Sequence, residues 1–506
     1  RVLSIAYWHH AAALVVSVAL LGFGVAGTLL ALAPRLKRLA TVHVCAAFYA
    51  VLIPLSLHAA GAVDFNIREV GWDRSQWLRL FALEAIFFVP FAVAALGIVV
   101  ALALRAAKPG GIYAANLLGS GLGALGAPLL LVGRPPHEAL LIVAVAAALS
   151  CCVRFRLLGL AAGVAAVLTS TGAALEMSPF KDWPAASDKR DISTTFGPMG
   201  RVDKAAIPSL HHAPGLSLLA PRHPENQTGL YLDGHLVAAL GDAAYQDYTV
   251  GALPFVLADE PRTLLLAIGP DLQRASTVVE MNALLLRAAG VEGIVREPRA
   301  FLEETNEHFD LVVHHIPILH AGAATPLLTV EGLRRAVTRA DAVAVSCQLA
   351  TPPRSGLRLL ATASRVTPHI IAVRSADRLC VLLRKRAATA DERARVLRFC
   401  TDNGFDPVRP VGWRFKEPHH ETDTPLLAPG PDYPYDIRPA TDARPYFFKF
   451  FRWSRIGDLL DPDRTPFVQW PFVALMVAFV QVTLLAVLLM AGPLLVSRAA
   501  RAPAGT

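Results

Sequence analysis

The residues with the most chemistry to offer sit at strand ends in the second half of the chain. Ile268-Gly-Pro-Asp-Leu-Gln-Arg-Ala-Ser-Thr277 leaves an apolar run and places Gly269 and Asp271 at its exit. Glycine there lets backbone approach a nucleotide, and an acid ending the next strand is the usual partner of ribose hydroxyls. Glu280, in Val278-Val-Glu-Met-Asn282, holds that second position. It reads equally as a ribose ligand or as a solvated strand end. A later strand ends in Asp310-Leu-Val-Val-His-His-Ile-Pro317, with His314 and His315 at its exit. Imidazole titrates near neutrality, so either is a candidate base. With His320 they also suggest zinc. No spaced partner motif accompanies them, and loop histidines at a sheet edge are the plainer reading. No metal is expected. Asp233, in Leu232-Asp-Gly234, reads as a hairpin-turn residue. Tyr245-Gln-Asp247 adds Tyr245 and Asp247 as substrate-side candidates.

Elements of two kinds must position these groups. Residues 177–255 carry short alternating stretches broken by Gly and Pro, the pattern of strands and turns. Residues 256–465 alternate apolar strands with helices. The strands are Thr263–Ile268, Thr277–Glu280, Gly293–Arg296, Phe309–His315 and Asp341–Gln348, and Met281–Ala289 and Val330–Arg339 are among the helices. That alternation predicts a mainly parallel α/β sheet. Ile370–Arg374 and Leu379–Arg384, joined by Ser-Ala-Asp, predict a terminal hairpin. Only about eight residues separate the first two strands, whereas a parallel crossover takes about a dozen. The helix that would border a cofactor is therefore expected to be reduced to a turn.

The remainder is apolar. Over 506 residues, 54% are hydrophobic and 17% charged, against about 25% charged in soluble domains. Disorder is excluded, and six cysteines without metal spacing exclude a disulfide scaffold. A bilayer core takes about 20 apolar residues as helix. Six runs before residue 177 qualify, near Tyr7–Leu32, Leu39–Val63, Leu80–Leu104, Ile112–Val132, Glu138–Val153 and Leu157–Leu175. The fifth is short. A seventh lies near Phe467–Leu495, ahead of a basic tail. The expected division is thus a helical membrane bundle over 1–176, a β-rich region over 177–255, an α/β domain over 256–465 and a last span over 466–506.

Arg35, Lys37 and Arg38, then Arg105 and Lys108, then Arg154 and Arg156, then Arg498 and Arg501 cluster at alternate span ends. If all seven runs span, the positive-inside rule makes those ends cytoplasmic and puts Arg1 and the soluble domain outside the cytoplasm; if Ile112–Val132 is re-entrant, the domain moves inside. The net charge of +8 follows from those loops, and no nucleic-acid partner is expected. The chain begins at Arg1 with no signal-peptide layout, so its true start is expected upstream. Glu84 is an intramembrane carboxylate near a span end, either functional or snorkelling to the interface; His9 and His10 read as interfacial. Gly119 and Gly123 form a GxxxG face, the pattern of close helix packing in lipid. Arg444-Pro-Tyr-Phe-Phe-Lys-Phe-Phe-Arg-Trp453 sets Phe447, Phe450 and Trp453 among basic residues, a candidate membrane or partner interface.

The order of several motifs resembles a known family. They are Trp8-His-His, Ala19-Leu-Leu-Gly-Phe-Gly24, Tyr113-Ala-Ala-Asn-Leu-Leu-Gly119, Pro214-Gly-Leu-Ser-Leu218, Leu232-Asp-Gly234 and Pro439-Ala-Thr-Asp-Ala-Arg-Pro-Tyr-Phe-Phe448. Together they resemble bacterial multi-span membrane proteins carrying a spermidine-synthase-like domain of the S-adenosylmethionine-dependent methyltransferase fold. The resemblance implies the bacterial inner membrane and a site for S-adenosylmethionine or its decarboxylated form. It implies cofactor contacts at Gly269, Asp271 and Glu280, and substrate contacts near Asp233, Tyr245 and Asp247. It also implies a catalytic Asp at the end of the fourth strand, where this chain has His314 and His315. With one glycine in the loop, a shortened crossover and no Asp, the expectation is a degenerate site without cofactor. The chain then acts as a binding or accessory subunit among other membrane proteins, with an active aminopropyl- or methyltransferase as the alternative.

Overall fold

Apolar residues without a strand alternation, long enough to hydrogen-bond within themselves, give the first part of the chain its helices. The computed structural model describes residues 1–7, 11–67, 69–105, 110–171, 176–316, 325–349, 353–408, 433, 435–455 and 470–496. His9, His10, Lys108, His320, Arg498 and Arg501 lie outside the described residues. The chain divides into two compact units, Arg1–Phe180 with Thr195–Arg201 and Ile456–Thr506, and Lys181–Thr194 with Val202–Arg455.

In the first unit, α1 (Ala11–Leu32), α2 (Leu39–Gly61), α3 (Ser75–Leu104), α4 (Gly110–Leu130), α5 (Pro136–Cys152) and α6 (Arg156–Ser170) precede a C-terminal helix, Trp470–Ala486. Among the described residues, five helices are long and apolar enough to cross a membrane: those of the first four runs and the C-terminal one. The fifth and sixth runs form helices of only 17 and 15 residues. At 1.5 Å per residue they reach about 26 and 23 Å, short of a 30 Å hydrocarbon core. Small residues set the packing. A Cβ on Gly22 of α1 would lie 3.0 Å from the Ala92 backbone nitrogen of α3, so only glycine permits that approach. Ala47 and Ala50 of α2 pack with Ala148 and Cys151 of α5 and Ala162 of α6. Glu84 does not reach an interface: it is fully buried in α3, and neither carboxyl oxygen has a hydrogen-bond partner among the described residues.

Two sheets follow, the smaller with Thr195–Arg201 of its first hairpin in the first unit and both otherwise in the second. β1 (Arg190–Gly197), β2 (Gly200–Ile207), β3 (Gln227–Leu232) and β4 (His235–Leu240) form a four-stranded sheet in sequence order. The larger sheet contains β5 (Thr263–Leu266), β6 (Thr277–Glu280), β7 (Ile294–Val295), β8 (Phe309–His315), β9 (Ala340–Gln348), β10 (Ile370–Arg374), β11 (Arg378–Arg384) and β12 (Asp406–Pro407). Its order is β12-β10-β11-β9-β8-β5-β6-β7. The strands from β9 to β7 pair in parallel, and β11 pairs antiparallel with both β9 and β10. This is a mixed α/β sheet. Its helices are α7 (Ala283–Ala289), α8 (Pro298–Glu304), α9 (Val330–Arg339), α10 (Arg354–Ala363) and α11 (Ala390–Asn403). Val202, Leu230 and Ala238 of the smaller sheet share one apolar cluster with Leu265, Val278, Val313 and Leu382.

Candidate functional site

The strand order reverses between β5 and β8. From β5 the chain works outward to β6 and β7, then returns to the other side at β8. The crevice beyond the carboxyl ends of such strands is where open α/β sheets hold ligands. Here the exits of β5 and β8 meet in one contact, with His315 Nε2 2.7 Å from Asp271 Oδ2. Both side chains are enclosed, at 10% and 3% exposure. Gly269 makes room for this pair. A Cβ there would lie 3.0 Å from His315 Cδ2, so the glycine accommodates the imidazole ring.

The pleat separates the two histidines. His315 turns to the pocket, and His314, 9% exposed, holds Nδ1 2.8 Å from the Leu266 carbonyl of β5. His314 is thus a link between neighbouring strands and stands away from the pocket. Glu280 is not a solvated strand end. It is 7% exposed, and its two oxygens accept the Ile268 amide at 3.1 Å and the Asn282 amide at 2.9 Å. Burial raises its pKa, and the amides of Asn282, Ile268 and Met281 oppose that rise.

The connection between β5 and β6 contains one 3-10 turn, Leu272–Arg274, and no helix. Ala267 reverses the chain at φ 70°, a left-handed conformation seldom taken by a residue with a Cβ. Asp271 precedes the turn and is carried back over the end of β5. A nearby segment completes the wall. Two 3-10 turns, Gln246–Tyr248 and Val250–Ala252, run beside Gly215, whose φ is 77° and where an added Cβ would lie 2.7 Å from Val250 Cγ1. The Gly215 carbonyl accepts the Val250 amide, so the Pro214–Leu218 motif acts as a local scaffold. Gln246 Nε2 then reaches the Pro270 carbonyl at 2.7 Å.

The resulting pocket is narrow, with room for about one water molecule. Tyr245, Gln246, Thr249, Asp271, His315 and Arg378 supply its polar lining. Burial, and then Asp271, raise the Tyr245 pKa. Of the expected site residues the fold brings together Gly269, Asp271, Tyr245 and His315. Asp247 points away, with a largely exposed carboxylate 2.5 Å from Arg274 Nη2. Asp233 and Gly234, both at positive φ, form the β3–β4 turn, and the Asp233 carbonyl accepts Lys181 Nζ. Sequence reasoning missed Gln246, Thr249 and Arg378. Gln246 is the middle residue of the Tyr-Gln-Asp segment; nothing local marks the other two. Among the described residues no group of three or more His, Cys, Asp or Glu side chains is placed to hold a metal ion.

Phe447 and Phe450 are not at a surface. They are 0% and 6% exposed, with Phe447 inside the α/β core. The cause lies on α10. Arg358 donates from Nη1 to the carbonyls of Tyr446, Phe447 and Lys449 and from Nη2 to that of Asp436, and its guanidinium stacks on Phe450. Asp442 of the same motif pairs with Arg299 at 2.6 and 2.8 Å and accepts from Thr329 Oγ1. The Pro439–Phe448 segment therefore straps α8, α9 and α10. Trp453 remains exposed, at 63%. Gly119 and Gly123 lie on α4, where no residue is buried and an added Cβ would meet nothing within 4 Å. Their face is uncovered among the described residues.

No family model and no curated protein matches the chain. Solved structures do. A probable spermidine synthase from Corynebacterium glutamicum aligns at 15% identity and a TM-score of 0.30, over 42% of this chain and 88% of its own. A spermidine synthase in complex with the transition-state analogue AdoDATO aligns at 12% identity and a TM-score of 0.28, over 40% of this chain and 76% of its own.

Proposed function

We propose that the chain is a membrane-inserted protein whose α/β unit is a ligand-binding module and does not use S-adenosylmethionine. The observation that carries this reading is the filled cofactor position. His315 lies against Gly269, Asp271 folds back over the same strand end, and Glu280 is engaged by two backbone amides. The residues present do not fit an adenosyl cofactor. There is no helix N-terminus after β5, and the carboxylate needed for ribose is enclosed. Five membrane-length apolar helices support insertion, and the uncovered Gly119/Gly123 face of α4 supports work as an accessory subunit beside another membrane protein.

One observation favours the transferase alternative. The Asp271–His315 pair sits where a parallel sheet presents its chemistry, and such a pair can relay a proton. Purification of the full chain in mild detergent, followed by calorimetry, separates the readings. The expected result is co-purifying membrane protein and no heat from S-adenosylmethionine or its decarboxylated form. A micromolar dissociation constant, about −8 kcal/mol, for either would overturn the binding-module reading.

A further inference from the structure

Glu84 lies about 14 Å from Ser75 along the axis of α3. It is 0% exposed, and among the described residues neither carboxyl oxygen has a hydrogen-bond partner. A lone carboxylate out of water is very costly, so an acid placed this way holds its proton. An acid kept for structure would have its donor and acceptor engaged, as Glu280 does. A metal cation would need several oxygen ligands, and Glu84 has no second one beside it. The ligand that fits is a proton.

The helices packed on α3 bring no charge to this acid. α1 and the C-terminal helix Trp470–Ala486 hold no titratable side chain. On α2, Cys45 meets α3 far away at Gly97, and Tyr49 packs with Ala144 and Ala166. His43 lies against Phe155, and His58 Nε2 is 2.6 Å from the Thr169 carbonyl. Tyr7 donates to the Ala60 carbonyl, Tyr113 of α4 is exposed, and Arg79 of α3 itself donates to the Asp64 carbonyl. The nearest acids with hydrogen-bond partners are in the loop before α3. There Gln76 Nε2 donates to Glu69 at 2.9 Å and to Asp73 at 3.1 Å, about 12 Å from Glu84 along the axis. The helix is also weakened beside Glu84. Pro90 has no N–H for the Ile86 carbonyl, and Ser56 Oγ of α2 lies 3.3 Å from that oxygen instead.

We infer that Glu84 is a proton-binding site of the membrane unit, exchanging its proton toward the Glu69–Asp73 loop. Release breaks the carboxyl O–H bond and passes the proton to water; uptake reverses this, with no redox partner. The inference rests on the reading of the chain as membrane-inserted. Dicyclohexylcarbodiimide, an apolar reagent for protonated carboxyls, tests it on the full chain in native membrane vesicles, read by mass spectrometry of the Glu84 peptide. Labelling is expected at Glu84, several-fold higher at about pH 6 than at about pH 9, and unaffected by sodium. A water-soluble carbodiimide should leave Glu84 unmodified. Glu84→Leu and Glu84→Gln should unfold at or above the wild-type temperature in detergent, since an unpartnered buried acid adds no stability. Infrared spectra of the Gln variant should lack one protonated-carboxyl band, which in the wild type shifts in D₂O. No labelling, labelling that is flat with pH, or protection by sodium would overturn the inference. So would a Leu variant that unfolds earlier or fails to fold, because the acid would then be structural. Release of the chain from vesicles by alkaline carbonate would instead overturn the insertion reading.

Discussion

Glu280 shows how far a residue's surroundings can depart from its motif position. Its carboxylate bridges the amide after β5 and the amide after β6, two chain reversals lying side by side. Hydrogen bonds to a buried carboxylate are charge-assisted, and an amide left open inside a fold loses its full solvation. Glu280→Gln keeps one acceptor oxygen and turns an NH₂ toward the other amide. The expected loss is about 1–3 kcal/mol of α/β-unit stability, read by denaturant unfolding. A ribose ligand freed for cofactor would show no such loss, so unchanged unfolding would count against the bridging role.

Among the elements, α11 depends most clearly on charge. Thr389 and Glu392 form a capping box at its start, each side chain bonding the other residue's amide. The Glu392 carboxylate also pairs with Arg384 at the end of β11 and with Arg386, so one acid ties helix to sheet. These arginines hold its pKa far below the usual carboxylate range. The unfolded chain takes up this proton at a higher pH than the folded one. The stabilisation is therefore complete above the ordinary Glu pKa and is lost as pH falls through the depressed folded value. Glu392→Ala, which leaves Arg384 buried without its acid, should cost about 3 kcal/mol at neutral pH. The same change should flatten the acid limb of a stability-against-pH curve from chemical unfolding. A variant that keeps the wild-type acid limb would show that Glu392 does not shape it.

At the scale of the whole chain the open question is orientation. Four membrane-length helices precede the α/β unit, and the short α5 and α6 form a further pair. If the four long helices cross and the short pair crosses together or not at all, the number of crossings is even and the α/β unit is expected on the side of Arg1. We propose, from the positive-inside rule applied to Arg35, Lys37 and Arg38, that this side is outside the cytoplasm. Proteolysis in sealed inverted membrane vesicles should leave the α/β unit protected, and right-side-out spheroplasts should expose it. The opposite pattern would mean that one of the four long helices does not cross.

The sequence by itself determined the periodic features, because periodicity is a local property of the chain. The seven apolar helices, the parallel strands, the β10–β11 hairpin and the shortened β5–β6 connection could all be read from residue order. Only the tertiary structure decided which side chains meet. His315 reaches Asp271 across 44 positions, and Arg378 enters the same pocket from the start of a strand well beyond either. Neither spacing leaves a mark in the local pattern. Aromatics beside basic residues look alike whether they face lipid, a partner or their own domain. Phe447 and Phe450 were settled as core by Arg358, a residue on a distant helix that binds the carbonyls around them.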